Sequence, residues 1–198
     1  MLEDEAELLK GLVSGDRTAF EAVYRRHNSS MVRFATAILR SRASAEEVTQ
    51  DTWLAVLRNI GQFEGRSSLA GWIFTIVTNK ARTRATRDGR AVSFDDDGDD
   101  GGLAATFDGR GRWKDIPELW EEITAERIVE GRNILEHVNR AIEALPPAQR
   151  AVLILRGQQG LDAADVCRML DISEGNMRVL LHRARFALRG ELDRLLST

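Results

Sequence analysis

Apolar positions recur at helical spacing along nearly the whole chain, and Gly, Ser and Pro mark the breaks. Leu2 to Val13 predicts a short amphipathic helix ended by Ser14-Gly15. Thr18 to Leu39 carries Phe20, Val23, Tyr24, Met31, Phe34, Ala35 and Ile38 on one stripe. Ser44-x-x-Glu47 has the form of a capping box and predicts a helix reaching about Asn59. The GQFEGRSS stretch at 61–68 breaks the pattern. Leu69 to about Arg87 resumes it, apolar first and basic at the end. Four helices so close together predict one compact bundle.

Periodicity fails over 88–112, where Gly and Asp dominate and DDDGDDGG occupies 95–102. Such a stretch has too few core residues to fold and predicts a flexible linker. Trp113, Ile116, Pro117, Leu119 and Trp120 follow it, as apolar anchors suited to docking on a partner or on the chain itself. A helical pattern returns from Glu118 to Leu145. Pro146-Pro147 ends it, and Pro147 suits the first turn of the next helix.

Leu161 to Arg189, LDAADVCRMLDISEGNMRVLLHRARFALR, predicts two helices joined by a very short turn. Asp162 caps the first, and Ala163, Val166, Cys167 and Leu170 form its apolar stripe. Asp171 and Ile172 make the turn. Ser173 is a good N-cap, with its oxygen placed to accept from the Asn176 backbone N–H. Met177, Leu180, Leu181, Ala184 and Leu188 form a buried face. Asn176, Arg178, Val179, His182, Arg183 and Arg185 lie elsewhere. This is the layout of a helix-turn-helix, whose second helix enters the DNA major groove. The same pattern also fits an ordinary amphipathic helix with a solvated basic face. The expected fold is all-α: a helical domain over 1–88, an acidic linker over 89–132 and a second helical domain over 133–198.

Length and composition suit that division. The chain has 198 residues, 43% hydrophobic and 30% charged, enough for a core and a charged surface. No apolar run approaches the ~20 residues that span a bilayer, and MLEDEAELLK is acidic, unlike a secretory signal. Cytoplasmic residence is expected. The single Cys167 permits no internal disulfide and falls on an apolar face. His27, His137 and His182 are far apart with no ligand cluster, so neither a metal site nor a cofactor is expected.

A net charge of −3 argues against nucleic acid only until it is divided along the chain. Residues 79–90 carry +4 and 173–198 carry +2, whereas 1–16 carry −4 and 91–132 carry −7. Concentrated basic patches matter more for phosphate contact than the total. In the first patch Asn79, Lys80, Arg82, Arg84 and Arg87 follow Trp72, Ile73, Phe74, Ile76 and Val77 on one helix. Cations beside aromatics suit single-stranded or melting DNA. The loop before them offers Arg66, Ser67 and Ser68 to an extruded base. Ile73, Phe74 and Val77 are expected in the core. Glu46, Glu47, Gln50 and Asp51 share one side of their helix with Trp53 nearby, either plain solvated surface or a protein-binding face.

These patches, in this order, resemble the extracytoplasmic-function (ECF) class of bacterial RNA polymerase sigma factors. FEAVYRRH, AEEVTQDTW and FEGRSSLAGWIFTIVTNKAR are similar to the family's region 2. ALPPAQRAVLILR and LDISEGNMRVLLHRARFALR are similar to its region 4. The resemblance implies a protein without enzymatic activity that binds core RNA polymerase and directs it to promoters. It implies contact with the β′ clamp coiled-coil through Glu46, Glu47, Gln50, Asp51, Thr52 and Trp53. It implies reading and melting of the −10 element by Phe63, Glu64, Gly65, Arg66, Ser67, Ser68, Asn79, Lys80 and Arg82. It places region 4 on the β flap, with Ser173, Glu174, Asn176, Met177, Arg178, His182 and Arg183 reading the −35 element. Control by an anti-sigma factor is expected, with no membrane insertion.

The chain departs from many relatives in having Thr83 four positions after Asn79, where they carry an acid, and Asp171 in a turn where they carry glycine. Asn176, Val179 and Leu180 also differ from the usual residues, which bears on promoter sequence. The acidic linker is expected to mimic nucleic acid in the polymerase or to shield the basic patches of the free chain. Two other readings stay open: a stand-alone helix-turn-helix regulator, usually dimeric, and an interaction protein whose arginines at 178–185 are unused.

Overall fold

The computed structural model describes residues 2–90, 94 and 137–196. Every regular element in them is helical. In order they are α1 (Leu2–Ser14), α2 (Arg17–Leu39), α3 (Arg42–Asn59), a single 3-10 turn (Ile60–Gln62) and α4 (Leu69–Arg87). Then come α5, helical over 137–144, α6 (Pro147–Val152) running into a π-helical stretch (Leu153–Gln158), α7 (Ala163–Leu170) and α8 (Glu174–Leu196). The expected linker at 89–132 lies outside the described residues except for Gly89, Arg90 and Phe94. So do the anchors from Trp113 to Trp120 and the start of the helix expected from Glu118.

Short polar side chains open these helices. Asp16 accepts the Thr18 N–H at 2.8 Å, Ser68 the Gly71 N–H at 3.1 Å and Asp162 the Asp165 N–H at 2.8 Å. Each satisfies a donor that has no partner inside its own helix. One cap differs from the sequence expectation. α3 begins at Arg42, and its cap is Ser41, whose hydroxyl accepts the Ser44 N–H at 3.3 Å. Ser41 has the extended backbone (φ −138°, ψ 117°) that a cap requires, whereas Ser44 already lies inside the helix.

α2, α3 and α4 form the first bundle. Met31, Phe34, Leu39, Val56, Ile73, Phe74 and Val77 are fully buried in it, and Phe34 meets Phe74 edge-on at 5.7 Å. Each such side chain contributes about 1.5–3 kcal/mol through burial. Ile73, Phe74 and Val77 are core, as expected. α1 crosses α2 so closely that a Cβ on Gly11 would stand 2.6 Å from that of Ala19. The second group packs Val152, Ile154, Leu155, Val166, Leu170, Leu180 and Ala184 together. Pro147 takes the first turn of α6, as its fixed φ favours.

The two groups are seated against each other. α2 packs on α6 and the π-helical stretch, and the buried apolar residues of both groups form one continuous cluster. Gln159 and Gln158 reach His27 and Ser30 of α2 at 2.7 and 3.3 Å. A Cβ on Gly71 would lie 3.7 Å from Leu161, which places the start of α4 beside the entry to α7. The seam was not legible from the helical pattern. It is built by the π-helical widening, which displaces one turn from the regular ladder and delivers the two glutamines.

Candidate nucleic-acid and protein interfaces

The helix-turn-helix forms as its caps dictate. α7 ends at Asp171, in the left-handed region (φ 57°, ψ 51°), and its cap N–H bonds the Cys167 carbonyl. Ser173 then accepts the Asn176 N–H at 3.1 Å and starts α8. Ser173, Glu174 and Arg178 stand exposed around the first turn, with Arg178 paired to Glu174. Asn176 is half-buried, and its Nδ2 donates to the carbonyl of Phe94 at 3.3 Å. His182 and Arg183 lie half-buried on later turns. Met177 differs from the rest of the expected DNA set. It is 3% exposed and packs under α8 with Leu180 and Leu181, so its side chain serves the core. Residue 177 is one helical step, about 100°, from each neighbour, so consecutive positions cannot all face one groove.

The expected −10 residues occupy two places, the loop before α4 and the later turns of α4. At its start Phe63 packs on Trp72 with ring centroids 5.5 Å apart, Glu64 pairs with Arg66 at 2.9 Å, and Gly65 takes φ 70°. Ser67 is exposed, and the Ser68 hydroxyl is engaged as the α4 cap. Asn79, exposed, and Lys80 and Arg82, half-buried, lie about 15 Å further along the helix axis. Loop and basic patch therefore stand at opposite ends of α4. Arg84 links α4 to α3 through Glu47 at 3.0 Å, and this bond with nearby Asp88 raises its already high pKa.

On α3, Glu46, Glu47, Gln50 and Asp51 are exposed together. Thr52 and Trp53 are not: they are 0% and 4% exposed. Thr52 donates to the Val48 carbonyl, and Trp53 donates to Asn28 at 3.0 Å while packing edge-on against Phe20 at 5.7 Å. Their place is inside, holding α3 to α2. The same face instead exposes Leu54 (51%) and Leu57 (46%), which sequence reasoning missed. The available signal was position: Leu54 follows Gln50 by four and Leu57 follows Leu54 by three, which continues the polar stripe.

Burial lowers the pKa of Arg33, Arg150 and Arg185, with Arg156 adding to the effect on Arg185, and all three guanidiniums remain charged. Burial raises that of the Cys167 thiol, which packs against the core and keeps its proton. Among the described residues no cluster of His, Cys, Asp or Glu fits a metal ion, and no helix is long and apolar enough to cross a membrane.

A helix-turn-helix and a basic helix on two adjoining helical groups have the form of a DNA-binding protein, and α3 carries a separate exposed face that is both acidic and apolar. The comparisons with known proteins carry this further. Residues 23–91 match the model of Sigma-70 region 2, and residues 135–188 match that of Sigma-70, region 4. The chain is 30% identical over 183 residues to the ECF RNA polymerase sigma factor SigM of Mycobacterium tuberculosis, covering 92% of this chain and 82% of that one. It is 26% identical to the RNA polymerase sigma-H factor of Pseudomonas aeruginosa, covering 98% and 96%. Among solved structures it is similar to the sigma factor RpoE in complex with the anti-sigma factor NepR from Bartonella quintana. That match has 20% identity and a TM-score of 0.49, covering 88% of this chain and 96% of that one. The chain belongs to the ECF sigma factors of the sigma-70 family. It binds core RNA polymerase and directs it to promoters.

Proposed function

We propose that the two promoter elements are divided between the surfaces described above. α8 enters the major groove of the −35 element, with Asn176 and Arg178 at base edges and Arg183 further along. Asparagine pairs with adenine and arginine with guanine, and each good pair discriminates by about 1–3 kcal/mol. His182 and the hydroxyl and carboxylate of Ser173 and Glu174 border that contact. The loop from Phe63 to Ser68 and the Asn79, Lys80 and Arg82 patch take the −10 element, the loop receiving an extruded base and the patch holding the backbone. Glu46, Glu47, Gln50 and Asp51, with Leu54 and Leu57 at their side, form the face for the β′ clamp coiled-coil. The second helical group meets the β flap.

The protein has no enzymatic activity of its own in this reading; the polymerase performs the chemistry. It acts in the cytoplasm and is restrained by an anti-sigma factor. The observation that carries the reading is the Ser173-capped start of α8, which brings Asn176 and Arg178 to the one end of the helix that reaches base edges. Run-off transcription with purified core polymerase on a genomic promoter library tests it. New start sites that depend on this protein, sharing two spaced elements, are expected. Tight binding of the free chain to a palindrome, with no new starts, would instead establish a stand-alone regulator.

A further inference from the structure

Asn176, expected to read a base edge, is engaged through its side-chain amide with a residue far off in sequence. Its Nδ2 donates to the carbonyl of Phe94 at 3.3 Å. Its Oδ1 is buried and has no hydrogen-bond partner among the described residues. Reading adenine takes both ends of the amide, the oxygen accepting from N6 and the nitrogen donating to N7. Here both ends are withdrawn at once. Phe94 is no passing neighbour. It is 3% exposed and belongs to the continuous apolar cluster, although it stands 82 residues before Asn176.

We propose that Phe94 is an internal latch on the DNA-reading helix. In the free chain it occupies Asn176 through its backbone carbonyl and buries its ring as an anchor, and −35 DNA binds only after it leaves. The inference rests on α8 being the −35 reader. The latch is built to open. A buried acceptor left unpaired at Asn176 Oδ1 is a cost of the closed state, and pairing with adenine removes it. DNA affinity of the free chain is thus reduced by the fraction of molecules with the latch open.

The test uses the full chain and a duplex carrying the −35 element found by run-off, at one fixed salt concentration. Phe94→Ala is expected to bind this duplex roughly fivefold or more tightly than the native chain. Equal or weaker binding by a variant that still unfolds cooperatively would overturn the latch. Since Phe94 is buried, a second measurement leaves the fold intact: 4-fluorophenylalanine at position 94, observed by ¹⁹F NMR. Its resonance is expected to move from a buried to a solvent-exposed shift as duplex is added. An unchanged resonance at saturating duplex would overturn the proposal even if Phe94→Ala does not fold. Failure of the underlying reading is distinct. A chain that directs no promoter-specific starts with core polymerase removes the DNA role and the latch together. Normal starts with an immobile Phe94 remove the latch alone.

Discussion

His27 Nδ1 in α2 lies 2.7 Å from Gln159 Oε1, which is 132 residues further along the chain. The imidazole is 7% exposed, and the amide oxygen is an acceptor, so Nδ1 carries the proton and donates. Beside it Ser30 donates to Gln158 at 3.3 Å, so the contact is a polar seam on an otherwise apolar junction. A partly buried hydrogen bond of this kind contributes about 0.5–1.5 kcal/mol net. A double-mutant cycle of His27→Ala and Gln159→Ala, followed by chemical denaturation, is expected to give a coupling of that size. Additive single losses would mean that the two side chains do not act on each other across the junction.

The α3 face makes a second prediction, because neighbouring positions have opposite roles. Leu54 and Leu57 expose about half their surface beside Gln50 and Asp51, whereas Trp53, next to Leu54, is buried against Phe20 and Tyr24. Leu57→Asp is expected to leave the melting temperature nearly unchanged and to weaken binding to core polymerase about tenfold, the loss of one apolar anchor. Trp53→Ala is expected to cost about 3–5 kcal/mol of stability, since it empties a core position and leaves Asn28 without its donor. Titration of labelled core polymerase, with thermal unfolding of each variant, separates the two. A Leu57→Asp chain that binds core normally would take this residue out of the interface.

The contrast between Trp53 and Leu57 also marks what the sequence made legible. The helices, the α7–α8 turn and the Asp162 and Ser173 caps were readable because they depend on residues three or four apart. The division of α3 into inner and outer residues was not. Trp53 looks like an interface aromatic, and Leu57 draws no notice, until α2 is packed on one side. Met177, expected among the DNA contacts, is buried, and the reason it was not legible is the same: a matching motif marks a stretch of helix but not which of its faces is outward. The Gln159–His27 seam and the Phe94–Asn176 contact join residues more than eighty positions apart, and no local period encodes them. Phe94 left only a faint trace, one aromatic within a stretch of Gly and Asp.

Asp171 supplies a third prediction. It ends α7 at φ 57°, where a Cβ crowds the following carbonyl, and its side chain is exposed. Glycine at the same place carries no such penalty. Asp171→Gly is therefore expected to stabilise the fold by about 0.5–1 kcal/mol. Thermal or urea unfolding checks it, and a loss of stability would show that the Asp171 carboxylate has a favourable role there. The substitution leaves α8 and its Ser173 cap in place, so DNA selectivity with core polymerase is expected to be unchanged.

Arg178 and Met177 are adjacent on α8, and their substitutions are expected to fail in different ways. Arg178 is exposed on the first turn and paired with Glu174. Met177 is 3% exposed beneath it. Arg178→Ala is expected to keep the fold and reduce promoter-specific starts by about tenfold, with discrimination lost at one position of the −35 element if the guanidinium forks onto guanine. If it holds phosphate instead, binding weakens on every sequence and the slope of log affinity against log salt drops by about one. Met177→Ala is expected to cost about 2–5 kcal/mol of stability, by leaving a cavity under the recognition helix. Below its lowered melting temperature it should select the same bases as the native chain. Competitive promoter selection at two salt concentrations, with a melting curve for each chain, distinguishes these outcomes. Altered base preference in a stable Met177→Ala chain would instead place this side chain in the groove.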